Sequence, residues 1–326
     1  MKFRTEIIPE PSDFQITYKD PIMLIGSCFT EYIGTRLREM QFPTDVNPFG
    51  VVYNSLSVRR SIDLLMNEKQ YTEEDLEFYN ERYFSWDHHS DFSHPKADVT
   101  LEKINEKIKI SSSFLRTAKY LFISMGTAWV YRLKKTGDIV CNCHKVPAKN
   151  FNRELLSNEI IDNEFNELLG QLREFNPDLK IIFTVSPVRH WKDGAHGNQI
   201  SKSILHLAIM QIREKFGNLC DYFPSYEILL DDLRDYRFYA EDLLHPNQQA
   251  IDYIWEKFIE SYFNEDTKRQ LSEIEKLVKA SNHRFNDPTS RKSFEFREKQ
   301  KTKLERIKKE LPFLDFSDLS KNFETA

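Results

Sequence analysis

The segment Ile22-Met23-Leu24-Ile25-Gly26-Ser27-Cys28-Phe29 runs four apolar residues into a glycine and two small nucleophilic side chains. Phe29, Ile33, Leu37 and Met40 then recur at helical spacing. The pattern predicts a buried strand, a sharp turn and an amphipathic helix over about residues 22–41. Ligands of open α/β sheets bind outside the carboxyl ends of such strands. A side chain at the first turn of the helix also sits among amides that lack an intrahelical acceptor, at the positive end of the helix dipole. Ser27 and Cys28 are therefore candidate nucleophiles for attack on a carbonyl. Each also has a plainer role, since serine is a favoured helix cap and cysteine packs as a small hydrophobe.

The same strand-to-polar step returns twice. Tyr120-Leu121-Phe122-Ile123-Ser124-Met125 stops at Gly126, and Lys180-Ile181-Ile182-Phe183-Thr184-Val185 stops at Ser186-Pro187-Val188-Arg189-His190. A short strand is expected at 219–223. Helices are expected near 55–66, 99–116, 154–174 and 199–216, and from Pro246 at a first helical position to about 262. Strands alternating with helices predict an α/β domain over residues 1–264, with a parallel sheet covered on both faces. Residues 67–97 read as a long irregular loop, the kind that forms a lid or binding wall, and 137–146 as an excursion.

Beyond residue 264 the chain reads as a charged helical extension, 265–326. Residues 291–310 hold nine Lys or Arg and four Glu, a formal +5. That stretch predicts a solvated helix docked by Phe294, Phe296, Leu304 and Ile307, or alternatively a contact arm for an acidic partner or nucleic acid.

Composition narrows the function classes. The 326 residues are 40% hydrophobic and 30% charged, ordinary for a globular enzyme. A net charge of −5 exerts no general pull on nucleic acid or an anionic membrane. No apolar run is long enough to span a bilayer, and the first residues lack the apolar core of a secretion signal. Four cysteines, Cys28, Cys141, Cys143 and Cys220, are too few and too unevenly placed for a disulfide framework, so a cytoplasmic location with reduced thiols is expected.

Asp242-Leu243-Leu244-His245 comes after the last strand. An Asp three residues before a His can accept the Nδ1 proton and leave the other nitrogen free to deprotonate a nucleophile. With it, Gly26-Ser27-Cys28-Phe29-Thr30 resembles the signature of the GSCFA-domain family, a bacterial group distantly similar to SGNH/GDSL hydrolases, with Thr30 in place of the usual Ala. Asn47-Pro48-Phe49-Gly50, His88-His89-Ser90, Gly126-Thr127-Ala128-Trp129-Val130-Tyr131, Ser186-Pro187-Val188-Arg189-His190 and Asp221-Tyr222-Phe223-Pro224-Ser225-Tyr226-Glu227 resemble it too. The likeness spans about residues 20–260. It implies a three-layer flavodoxin-like SGNH-hydrolase fold, with the helical extension added, and a hydrolase or acyltransferase acting on an acyl ester.

Carried across residue by residue, the resemblance places Cys28 on the SGNH serine and Ser27 on the Asp before it. A shift of one makes Ser27 the nucleophile, so both stand. A helix N-terminus and a neighbouring imidazole would depress the Cys28 thiol pKa, whereas Ser27 would need His245 as its base. The implied oxyanion donors are the backbone amides near Cys28, Gly50 and Gly126. Ala128 stands where SGNH proteins carry an Asn donor, a loss that can cost about a hundredfold in rate. Asp242 and His245 match the final Asp-x-x-His.

Around these, Thr127 is a candidate replacement donor, His89 and Ser90 a pocket wall, and Arg189 with His190 a clamp for an anionic group. Trp129, with Trp86, Tyr131 and Trp191, forms a candidate stacking surface for a sugar ring, which puts O-acetylated carbohydrates among the substrates. His88, His89 and His94, and Cys141-Asn142-Cys143-His144, lack complete ligand spacing, so neither a metal nor an organic cofactor is expected. The expected partner is a small-molecule or carbohydrate ester, not a membrane and not nucleic acid. The rival reading is a non-catalytic small-molecule or glycan-binding protein that keeps the fold, with Ala128 as its best support.

Overall fold

The computed structural model describes residues 4–283, 285–287 and 289–324; residues 1–3, Arg284, Pro288 and residues 325–326 lie outside it. Strand β1 (Ile22–Gly26) leads into α1 (Cys28–Glu39), β2 (Thr44–Val46) and α2 (Ser55–Met66). Ser27 caps α1 by accepting the Phe29 amide, and Asn54 caps α2 by accepting the Ser57 amide. A hairpin of β3 (Glu77–Tyr79) and β4 (Arg82–Phe84) precedes α3 (Ala97–Thr117) and β5 (Tyr120–Met125). Strands β6 (Trp129–Leu133), β7 (Ile139–Val140) and β8 (Phe151–Leu155) come next, then α4 (Asn158–Phe175), β9 (Lys180–Val185) and α5 (Gly194–Phe216). Strand β10 (Cys220–Tyr222), a single turn α6 (Ser225–Glu227) and α7 (Gln248–Tyr262) complete the α/β part. Helices α8 (Glu265–Ser281), α9 (Arg291–Glu310) and α10 (Ser317–Glu324) close the chain.

The main sheet is parallel throughout, in the order β10-β9-β5-β1-β2. Every residue of β1 and β5 is buried, as expected for strands covered on both faces. Alternate side chains of β1 serve the two faces. Met23 and Ile25 join a core with Leu65, Leu168 and Ile209, while Ile22 and Leu24 join another with Ile33, Ile254 and Phe258. The result is the expected three-layer, flavodoxin-like α/β fold.

From β1 the chain steps outward to β2, then returns to the other side of β1 as β5. The carboxyl ends of β1 and β5 therefore flank the crevice where strand order reverses, the usual ligand position in such sheets. Gly26 tightens this junction. Its φ is +143°, and a Cβ there would stand 2.1 Å from the Ser124 carbonyl oxygen, so only glycine lets the β1 end lie so close against β5.

Five local expectations are corrected. Residues 67–97 are not structureless, because β3 and β4 pair within them. The excursion at 137–146 belongs to an antiparallel sheet, β7-β6-β8, and α4 starts at Asn158 because Phe151–Leu155 pairs with β6. Pro246 precedes α7 instead of opening it, since Asn247 is the cap and accepts the Ala250 amide. Phe294 does not dock α9; it is 59% exposed, whereas Leu304 and Ile307 are buried.

The C-terminal helices share a core with the α/β layers: Leu271, Ile274, Leu277, Leu304 and Ile307 lie in the same apolar cluster as Ile33, Phe42 and Trp255. Among the described residues no helix is long and apolar enough to cross a membrane.

Candidate active site

A cavity of about 460 Å³ opens at the strand-order reversal. The β1–α1 turn supplies Ser27 and Cys28 to its lining, and the turn after β5 supplies Thr127. The loop after β9 supplies Ser186, Arg189 and His190, and the loop before α7 supplies His245. Trp129, Tyr131 and Arg153 enter from the small antiparallel sheet.

The two candidate nucleophiles are placed differently. Ser27 is 1% exposed; its hydroxyl caps α1 and shares a 2.8 Å hydrogen bond with the Ser124 hydroxyl. Cys28 is the first residue of α1 and half-buried. Among the described residues no backbone carbonyl accepts its amide, which lies against its own thiol sulfur. Burial pushes the Cys28 thiol up, and the opposing pulls of Lys202 and of its own amide do not reverse that. The activation by the helix N-terminus anticipated for Cys28 is thus outweighed by desolvation, and a base is needed to remove its proton.

Asp242 and His245 meet as their spacing predicts. Asp242 Oδ1 accepts the amides of Leu244 and His245, and Oδ2 lies 2.5 Å from His245 Nδ1. The His245 amide first, then its ring and the Leu244 amide, hold the Asp242 carboxyl down at about 2. An ionised carboxylate can only accept, so Nδ1 is the nitrogen that donates to Asp242 and Nε2 is the one turned away from it.

The expected oxyanion amides of Gly50 and Gly126 are engaged elsewhere. Gly50 donates to the Asn47 carbonyl at 2.7 Å and Gly126 to the Tyr53 carbonyl at 2.9 Å. Thr127 also donates its amide to Tyr53, and its hydroxyl bonds Ser201 at 3.1 Å. Ala128 is fully buried. His190 comes close to Gly126. A Cβ on Gly126 would meet His190 Nε2 at 3.3 Å and Ser27 Cβ at 3.4 Å, so the absent side chain admits this imidazole beside the elbow. Burial first, then the Lys202 charge, hold His190 at about 4, neutral at pH 7.

His89 and Ser90 do not line this cavity. The His89 side chain packs against Gly50, where a Cβ would stand 2.3 Å from the His89 Cβ and 3.2 Å from its Cγ. His88 is buried among Phe49, Tyr71 and Phe92, and His144 stacks on Phe84. Of the aromatic set, Trp129, Tyr131 and Trp191 line the cavity and Trp86 does not.

Sequence reading missed Arg153, Lys192 and Lys202. Arg153 arrives through antiparallel pairing that no local pattern announced. Lys202 left a usable signal, a lysine in the same helical stripe as Leu205, Ala208, Ile209 and Ile212.

Fold and cavity together define a doubly wound α/β protein with a capped serine–cysteine elbow and an Asp–His pair at one crevice. The chain belongs to the GSCFA family, whose model matches residues 21–258. No curated protein matches it. Among solved structures it is similar to a carbohydrate esterase family 3 protein from Talaromyces cellulolyticus, at 9% identity over 79% of this chain and 99% of that one, with a TM-score of 0.36. It is also similar to a GDSL-like lipase from Bacteroides thetaiotaomicron VPI-5482, at 10% identity over 79% and 91%, TM-score 0.37. A third is the acetyl xylan esterase Est2A from Butyrivibrio proteoclasticus, at 10% identity over 75% and 63%, TM-score 0.38.

Proposed function

We propose that this protein hydrolyses or transfers the acyl group of an ester, with Cys28 as nucleophile, His245 as general base and Asp242 as its orienter. The observation that carries the reading is that Cys28 and His245 line one cavity while the Ser27 hydroxyl is engaged as a buried cap. His245 Nε2 takes the thiol proton as Sγ attacks the carbonyl carbon. The tetrahedral intermediate then collapses to a thioester, and the departing alkoxide takes its proton from His245. Water or a second hydroxyl compound reverses the sequence and frees the acyl group. The Cys28 amide and the ring of neutral His190, in the tautomer protonated at Nε2, are the donors offered to the oxyanion, in place of Gly50, Gly126 and the missing Asn. Trp191, half-exposed, supports an O-acetylated carbohydrate as one substrate of this class.

The test is intact mass after incubation with 4-nitrophenyl acetate. One acetyl adduct on wild type, absent from Cys28→Ala and His245→Ala, is the expected result. An adduct that survives Cys28→Ala moves the attack to Ser27. No adduct on folded wild type supports the second reading, a non-catalytic binding protein, which the engaged Gly50 and Gly126 amides favour.

A further inference from the structure

The chain is acidic overall, yet its cavity is cationic. Among the described residues Arg153, Arg189 and Lys192 line it against a single carboxylate, Asp193, and that carboxylate is paired with Arg153. Arg189 and Lys192 have no carboxylate partner among the described residues. On the far side of Arg189, Asp231 pairs with Arg234, and Asp235 caps the turn Tyr236–Phe238.

Both cations are steadied by aromatic rings. The Arg189 guanidinium lies 5.0 Å from the Trp191 ring centre, and its buried Nε has no acceptor among the described residues. Lys192 Nζ donates to the Tyr131 hydroxyl at 2.8 Å and lies 5.3 Å from that ring, with two further protons to offer. A planar guanidinium and a point-charge ammonium lining one cavity match an anionic oxygen group, and walls of low dielectric concentrate their field.

We propose that the ester taken by this cavity carries a negatively charged oxygen group, a carboxylate or phosphate, held by Arg189 and Lys192 while its acyl carbon faces Cys28. This rests on the acyl-transfer reading and narrows its substrate class.

The test uses two fluorescent coumarins that differ in charge, 4-methylumbelliferone and 7-hydroxycoumarin-4-acetate, titrated with the full chain and read by anisotropy. The carboxylate is expected to bind about tenfold tighter or more, as one charge-assisted contact allows. That advantage shrinks with added salt and is lost in Arg189→Gln and in Lys192→Gln. Equal affinity, binding of neither, or an advantage that survives both variants overturns the proposal. Competition by acetate and by inorganic phosphate then names the anionic group from whichever displaces the coumarin better. The acetate esters of the same coumarins separate the two readings. Selective binding without hydrolysis of either ester sinks acyl transfer alone, whereas hydrolysis of both with equal affinity sinks this inference alone.

Discussion

Lys202 Nζ donates to the carbonyl of Gly126 at 2.7 Å, and at the same distance to that of Ser186. A wholly buried ammonium thus ties together the residues just after β5 and β9, which flank the cavity. No carboxylate pairs with it among the described residues, and burial draws its pKa down to about 7. Its charge opposes the desolvation of the Cys28 thiol.

Lys202→Met should leave two carbonyls unpaired at about 1–3 kcal/mol for each buried polar group, so the urea midpoint should fall. Lys202 loses its charge near pH 7, before the Cys28 thiol, which burial pushes above its ordinary value, begins to titrate. The profile of the Cys28 iodoacetamide rate against pH should therefore superimpose on wild type in folded Lys202→Met. An upward shift of that profile would show that Lys202 stays charged beside the thiolate.

Ser27→Ala and Cys28→Ala should fail in opposite ways. Ser27→Ala removes a cap and the Ser124 partner, so it should cost about 1 kcal/mol in urea unfolding while Cys28 still takes one iodoacetamide. Cys28→Ala should stay near wild-type stability and lose the cavity label. Loss of Cys28 labelling in folded Ser27→Ala would make the serine part of the chemistry.

Acid should destabilise this protein well above the range where carboxylates titrate. Burial depresses His88 to about 3 and His144, His190 and His206 to about 4. Below about pH 6.5 the unfolded chain binds protons that these rings refuse in the fold. Stability is therefore complete above that pH and is lost as pH falls from there towards about 4, at up to about 1.4 kcal/mol per pH unit for each such ring. Among the described residues His88 has no hydrogen-bond partner at either ring nitrogen, and it sits among aromatic rings, so His88→Phe should fold and flatten the slope by up to one proton. Urea unfolding at pH 7 and pH 5 measures the difference.

Deletion of residues 265–326 should not yield a well-behaved α/β domain. Removing Leu271, Ile274, Leu277, Leu304 and Ile307 strips apolar cover from one face, and each fully buried side chain of this kind contributes about 1.5–3 kcal/mol. The truncated chain is expected to aggregate or to bind a hydrophobic dye, as read by size-exclusion chromatography and dye fluorescence. A monomer of wild-type stability would mean that the basic helix is an independent arm.

The residues along the chain determined whatever depends on near neighbours. Four apolar residues before Gly26 make a strand, Ser27 caps the helix after it, and a spacing of three lets Asp242 reach His245 in one loop. Only the tertiary structure decided which groups at the crevice are free. Gly50 and Gly126 looked available as donors, but Asn47 and Tyr53 bring carbonyls to their amides. Cys28 looked acidified by its helix, but packing desolvates it. Arg153 and Lys202 enter from segments more than a hundred residues beyond the elbow, one by strand pairing and one by burial on α5. A hydrogen bond has one geometry and an ion one local dielectric, and both are set by whatever packs against them, which spacing along the chain does not encode.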